Sequence, residues 1–272
     1  MRSIPLEDTF ADIIGKAIRG LKLSEAEVAQ QSGLTTEAVA SLSGGTYDRT
    51  TARAVASTLG LSGNALDEMA HHAWFPEASA VPGLICFNTP FEDMTVNSYL
   101  AFDQISRQAV AFDTGADCSP LLDFLQAENL TLSCILITHT HTDHILEIDR
   151  LKEKTQAPAF VGELEPLEGA EPFTAGRKFS CGALQISTRL TWGHSPGAIT
   201  YVIEGLEKPV AIVGDALFAS SMGGGRVSYV DALRTTRNEI LSLPDSTILC
   251  PGHGPLTSVA EELEHNPFFA KI

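Results

Sequence analysis

The pattern of apolar and polar positions in the first seventy or so residues predicts short helices separated by residues that favour helix ends. Ser24 and Glu27 have the spacing of a capping box, in which each satisfies a free backbone N–H of the other. Three helices are predicted, each closed by glycine: Ala26 to Ser32 before Gly33, a helix capped by Thr35 through Leu42 before Gly44-Gly45, and one capped by Thr50 or Thr51 through Leu59 before Gly60.

Two of these helices, joined by a three-residue turn, have the outline of a helix-turn-helix unit. The stretch Leu23 to Leu34, with Val39 and Leu42 after it, resembles the DNA-binding domain of phage-repressor-like regulators. However, the segment at the recognition-helix position, 36–43, contains Glu37 and no Lys or Arg. Base readers and phosphate contacts are expected there. We therefore expect a helical module used for packing or as a homodimer contact, and we do not expect DNA as a partner.

From about Trp74 the pattern changes to short apolar strands interleaved with helices. We predict a small all-α, helix-turn-helix-like domain over residues 1–73 and a larger α/β domain over residues 74–272. The predicted strands are Val96 to Phe102, Gln108 to Phe112, Cys134 to Ile137, Leu184 to Trp192, Ala198 to Ile203, Val210 to Val213 and Thr247 to Cys250; the predicted helices are Leu121 to Gln126, Ile145 to Lys154 and Val230 to Ser242.

The charge and composition of the chain disfavour nucleic acid and membranes as partners. The 272 residues carry a formal charge of −16, which repels nucleic acid and anionic membranes. Apolar residues make up 44% and charged residues 19%, as in globular proteins, and no apolar run is long enough to span a membrane. The opening, 1–8, becomes acidic before an apolar segment can form, so we expect no secretory signal. Five cysteines without a C-x-x-C pair fit reduced thiols in the cytoplasm.

The candidate chemistry lies in a run of histidines and aspartates. Of eight histidines, three stand in His139-Thr140-His141-Thr142-Asp143-His144, directly after a predicted strand. Alternate residues of an extended segment point to the same side, so His139 and His141 can converge on one ion. Asp143 and His144 can reach a second ion after the chain turns. Three more polar residues follow strand ends beside glycine: His194, Asp215 and His253.

Five imidazoles and two carboxylates suit zinc, iron or manganese. We predict that His139, His141 and His194 hold one ion and that Asp143, His144 and His253 hold the other. Asp215 would bridge the two. Two such ions lower the pKa of a shared water from about 15.7 toward about 7, which yields a metal-bound hydroxide nucleophile at neutral pH. Zinc is the expected metal, and Asp143 and His144 are the predicted catalytic residues.

The run 139–144, followed by single His, Asp and His residues, resembles the signature of metallo-β-lactamase-fold hydrolases. Phe112-Asp113-Thr114-Gly115 is similar to the strand and turn that precede the site in that superfamily. The resemblance implies an αββα sandwich with the metals at one edge of its sheets. Segments 214–218 and 251–257 are most similar to short bacterial hydroxyacylglutathione hydrolases, the type II glyoxalases, which implies hydrolysis of a thioester or ester of a small molecule.

Two alternatives stay open. A persulfide dioxygenase would use one iron held by His139, His194 and Asp215, a facial triad with open positions for O₂ and substrate. A metabolite-sensing regulator would bind a ligand in the larger domain and DNA through the N-terminal helices. Asp113 is expected to orient a ligand rather than to act as one, and Asn97 to support strand geometry. Trp192 is a candidate for the pocket wall. Met222 is a second candidate, but a single apolar residue in such a place is more often part of the core.

Overall fold

A computed structural model describes residues 4–77 and 80–271. Residues 1–3, on which part of the secretory-signal expectation depends, and the predicted domain limit at residue 272 lie outside this description. The helices are α1 Phe10–Leu21, α2 Glu25–Ser32, α3 Thr36–Ser43, α4 Arg49–Leu59, α5 Gly63–Ala70, α6 Ser119–Ala127, α7 Thr142–Ile145, α8 Ile148–Thr155, α9 Tyr229–Thr235, which continues into a π-helix Thr236–Ile240, and α10 Val259–His265.

The strands form two sheets of six strands each within the described ranges. The first sheet has the order β1-β2-β3-β4-β5-β6 and the second has the order β12-β11-β10-β9-β8-β7. The strands are β1 Leu84–Phe91, β2 Met94–Phe102, β3 Gln108–Phe112, β4 Thr131–Ile137, β5 Ala159–Gly162, β6 Glu171–Phe173, β7 Lys178–Cys181, β8 Leu184–Leu190, β9 Ile199–Glu204, β10 Val210–Gly214, β11 Ile248–Pro251 and β12 Thr257–Ser258.

The two sheets face each other across an apolar core. Tyr99 and Phe112 of the first sheet pack with Tyr201 and Ile212 of the second, all essentially fully buried. On the outer side of the first sheet, Leu121 of α6 and other apolar side chains form a separate cluster. Helices also cover the outer side of the second sheet. The predicted α/β sandwich of αββα layers, preceded by helices, is confirmed.

The N-terminal helices share a continuous core with the second sheet. Ile14 of α1 and Leu66 of α5 belong to the same buried cluster as Ala211 of β10. The α5 region is tied to the end of the chain, since the Ser62 N–H donates to the Pro267 carbonyl at 2.8 Å. On α1, Gly20 lies against the Tyr229 ring so closely that a Cβ there would be 2.3 Å from it. The independence of residues 1–73 as a domain stays a prediction.

Several local predictions need correction. The third predicted helix, α4, is capped by Asp48, whose side chain accepts the Thr51 N–H at 2.8 Å, so the assignment of the cap to Thr50 or Thr51 was wrong. The helix predicted from Ile145 to Lys154 is interrupted between α7 and α8. The last predicted helix changes from α to π geometry at Thr236. Across the described residues, no helix is both long and apolar enough to cross a bilayer.

Candidate metal centre

The seven predicted site residues meet at one edge of the two sheets. His139 and His141 follow β4, and His194 lies in the turn after β8. Asp215 directly follows β10, and His253 follows β11 two residues after the strand ends. Asp143 and His144 lie on α7, for which His141 occupies the N-cap position. The turns after strands of both sheets therefore bring together, at one edge, residues that are more than a hundred positions apart.

These side chains form two groups of potential ligands, within each of which the ligand atoms lie within 4.8 Å of one another. The first group is His139, His141, His194 and Asp215, and the second is Asp143, His144 and His253. Asp215 also faces the second group, because its Oδ1 lies 3.3 Å from His144 Nε2 and its Oδ2 lies 3.6 Å from His253 Nε2. The grouping corresponds to the distribution predicted from the sequence, and ion binding by it stays a proposal.

The outward nitrogens of four imidazoles are held by oxygen atoms. His144 Nδ1 lies 2.8 Å from Asp113 Oδ2, and His194 Nδ1 lies 2.7 Å from the Gly223 carbonyl oxygen. In His253, Nδ1 lies 2.7 Å from the Thr95 carbonyl, and in His139 it lies 3.0 Å from Thr138 Oγ1. A carbonyl or carboxylate at Nδ1 favours the tautomer with its proton there, which leaves the Nε2 lone pair free to face the centre.

Two buried atoms at the centre indicate that the site fits metal ions. His144 Nε2 and Asp215 Oδ1 have no hydrogen-bond partner of suitable geometry among the described residues. Buried polar atoms without partners are costly, and a cation placed between them would satisfy both. Gly252 leaves this space open, since a Cβ there would lie 2.2 Å from Asp215 Oδ1. The imidazole and carboxylate set therefore suits a divalent transition metal.

The aspartates dominate the electrostatics of the second group. Burial disfavours the charged form of His144, but Asp215 and Asp113 outweigh it and raise its pKa to about 10. Burial likewise opposes the charged form of His253, while Asp215 and Asp143 raise its pKa to about 11. His139 has the opposite shift, since burial and then the nearby His144 hold its pKa well below its ordinary value. The carboxylates that favour protons on His144 and His253 would also attract metal cations, and a bound ion would displace those protons from the inward nitrogens.

Three residues outside the ligand set hold the ligand turns in place. Asp113 contacts His144 Nδ1 and also accepts the Thr138 N–H at 2.7 Å, so it fixes the orientation of a candidate ligand. Asn97 donates to the Pro251 and Gly254 carbonyls around His253, so it supports a ligand turn rather than strand geometry alone. Glu165, which sequence reasoning missed, accepts the N–H groups of Thr140 and Gly197, at 3.1 and 2.8 Å.

A cavity of about 640 Å³ opens over the cluster. His141 and Asp143, which are partly exposed, line its floor. Trp192, the predicted wall residue, does not line it. Met222 does not line it either, because its side chain is fully buried in the core, the alternative favoured for it from the sequence. The walls include the apolar side chains Phe91, Met94 and Phe218 and the charged side chains Glu7, Asp8, Lys16, Glu92 and Arg226.

Comparison with known proteins identifies relatives of this fold. Residues 92–253 match the metallo-beta-lactamase superfamily. The chain is similar to the probable metallo-hydrolase YqgX of Bacillus subtilis, with 28% identity over 205 residues that cover 66% of this chain and 94% of the relative. It is also similar to a probable metallo-hydrolase of Streptococcus pyogenes, with 26% identity covering 63% of this chain and 84% of that protein.

Solved structures show the same likeness. The B3 metallo-beta-lactamase BLEG-1 is 30% identical with a TM-score of 0.58, and the match covers 69% of this chain and 100% of that one. ETHE1 from Myxococcus xanthus is 28% identical with a TM-score of 0.58, over 67% of this chain and 83% of that one. TTHA1623, solved in a di-iron-bound form, is 25% identical with a TM-score of 0.56, over 67% of this chain and 99% of that one.

Proposed function

This chain belongs to the metallo-beta-lactamase superfamily, and from that premise we propose that it is a dinuclear metal-dependent hydrolase of a thioester or related ester. The observation that carries the proposal is the pair of ligand groups that share Asp215. Its probable metallo-hydrolase relatives support a hydrolytic reaction. Among thioesters, an acylglutathione-like compound is the substrate class implied by the resemblance of segments 214–218 and 251–257 to short bacterial hydroxyacylglutathione hydrolases.

The residues present would hold two ions in a defined way. His139, His141 and His194 would bind the first ion, and Asp143, His144 and His253 would bind the second, with Asp215 between them. When bound, zinc or a similar divalent ion supplies a water nucleophile at neutral pH and polarises a carbonyl. In hydrolysis, the water oxygen bonds to the acyl carbon, the carbon–sulfur bond breaks, and the thiolate leaves and takes up a proton.

The chain's own residues position this reaction. Asp113 and the Gly223 carbonyl fix the orientations of His144 and His194, so the inward nitrogens are in place before any ion or substrate arrives. The backbone of Gly252 gives access to the centre, where a larger residue would close it. Phe91 and Phe218 on the cavity wall can exclude water from an acyl group placed above His141 and Asp143.

We infer that the N-terminal helices serve packing rather than DNA binding. Thr36, Glu37 and Ala40 of α3 are exposed, and the helix has no cationic side chain that could contact phosphate. Helices α1 and α5 contribute apolar side chains to the core shared with the second sheet. A homodimer contact through these helices and a cytoplasmic location remain predictions.

Replacement of one second-group ligand tests the proposed function. Asp143→Ala removes the carboxylate that lies 3.2 Å from His253 Nε2 and 3.5 Å from His144 Nε2. We expect the metal content to fall from two ions to one, and thioester turnover to fall more than about 100-fold. Released thiol, measured without oxygen in zinc-loaded protein, reports turnover. The matched control is Asp149→Ala, an exposed carboxylate on α8.

Two results would contradict the proposal. Unchanged turnover in Asp143→Ala would show that the second group has no part in the reaction. Oxygen consumption with glutathione persulfide by a protein that holds one iron, without thioester hydrolysis, would instead support the dioxygenase in which His139, His194 and Asp215 bind the metal.

A further inference from the structure

One wall of the cavity comes from the N-terminal part of the chain, outside the 92–253 superfamily match. Glu7 and Asp8 precede α1 and Lys16 lies on it, and all three line the cavity together with the candidate ligands. The backbone of this segment lies against the turn that carries His253, since a Cβ on Gly254 would be 3.4 Å from the Glu7 nitrogen. The N-terminal region is therefore part of the candidate active site.

Asp8 and Lys16 fasten this wall to the larger domain and neutralise each other. The Lys16 ammonium donates to the Asp8 carboxylate and, at 2.7 Å, to the Met222 carbonyl. The Ser221 hydroxyl also donates to Asp8. Because Asp8 and Lys16 pair with each other, their opposite charges largely cancel on this wall.

Glu7 differs, because its carboxylate has no hydrogen-bond donor or ion-pair partner among the described residues. The side chain is partly buried beside the metal centre. Burial raises the pKa of Glu7, with Asp8 and Asp215 adding to the effect and His253 and Lys16 opposing it. A partly buried carboxylate without a partner is costly, and a bound cation would offset that cost.

We propose that Glu7 determines specificity by pairing with an ammonium group on the substrate. The proposal rests on the proposed function, because it places the ammonium near a thioester or ester carbonyl above the His/Asp cluster. Glu92, exposed on the cavity rim, adds charge of the same sign. The remaining cation of the wall, Arg226, is exposed.

Three thioesters that differ in the charge of the leaving thiol test this inference: acetylthiocholine, neutral S-acetyl-N-acetylcysteamine and anionic S-acetyl-3-mercaptopropionate. We expect zinc-loaded wild type to prefer the cationic substrate over the anionic one in kcat/KM. Glu7→Gln should lower that ratio about tenfold, and Glu7→Lys should reverse the preference. Glu37→Gln, which removes an exposed carboxylate on α3, should leave the ratio unchanged. Equal ratios in wild type and Glu7→Gln would overturn the inference.

Choline binding separates this inference from the proposed function. If wild type hydrolyses neither these three thioesters nor an S-acylglutathione, the proposed function fails, and calorimetric titration of choline into wild type and Glu7→Gln still decides the role of Glu7. About tenfold weaker choline binding in Glu7→Gln supports the pairing. Equal affinity in both proteins, or no choline binding by wild type, overturns it. Thermal melting of each variant confirms that it is folded.

Discussion

At the scale of single residues, Glu165 is a positioning residue for both ligand turns of the first group. Its buried carboxylate accepts the Thr140 hydroxyl at 2.6 Å and the Gly197 N–H at 2.8 Å. Thr140 separates His139 from His141, and Gly197 ends the turn that carries His194. One carboxylate therefore links the two segments that supply three candidate imidazoles.

Loss of this link should weaken metal binding without removing a ligand. We expect Glu165→Ala to lower zinc affinity about 10- to 100-fold, because the ligand turns lose their common acceptor. Glu165→Gln keeps one acceptor oxygen and should recover part of the affinity. Chelator competition measures the affinity, and the visible spectrum of the cobalt-substituted protein reports ligand geometry. Glu163→Ala, an exposed neighbour, is the control; equal affinity and spectra in Glu165→Ala and wild type would contradict this role.

At the scale of elements, α10 is anchored by a buried carboxylate. Glu262 accepts from Thr257 Oγ1 and Asn266 Nδ2, each at 2.7 Å, and from the Ser220 N–H at 3.1 Å. Burial raises the pKa of Glu262 to about 8, although these donors oppose the shift; nearby Glu261 adds to it. The folded chain thus retains a proton that the unfolded chain releases near the ordinary value of 4.5.

This shift predicts how stability depends on pH. Since the pKa of Glu262 is higher in the folded than in the unfolded chain, its contribution to the stability of the fold is most favourable below about pH 4.5. It declines as the pH rises to about 8 and is constant above that. In denaturant unfolding measured from pH 5 to 9, Glu262→Gln should reduce the slope of the free energy of unfolding against pH. Glu264→Gln, an exposed carboxylate on the same helix, should keep the wild-type slope. If the free energy of unfolding of Glu262→Gln depended on pH as strongly as that of wild type, the folded protein would not retain a proton on Glu262.

At the scale of the whole molecule, local sequence patterns predict more of the site than of its surroundings. The ligand run 139–144 was recognisable because its spacing is local, and His194, Asp215 and His253 because each follows a strand beside glycine. The alternating strands and helices predicted an α/β domain, and the αββα layers were implied by the resemblance of the 139–144 run and the later His, Asp and His residues to metallo-β-lactamase-fold hydrolases. The cap of α4 could not be assigned with the same certainty, because Asp48, Thr50 and Thr51 all have suitable side chains.

The remaining features depend on contacts between distant segments. The link of Ser62 to Pro267 and the packing of Gly20 on Tyr229 join residues about two hundred positions apart. Glu7 looked like part of an acidic opening until the fold placed it beside the His253 turn. Glu165 has no motif of its own, because its role comes only from the two turns that meet around it.

We propose that the seven side chains of the 139–144 run and the three later turns hold two metal ions. Elemental analysis of protein purified without added metal, paired with a thioester assay on the same sample, tests it most directly. We expect two divalent transition-metal ions per chain and loss of thiol release when chelation removes them. Full activity with a single ion per chain, or with none, would contradict it.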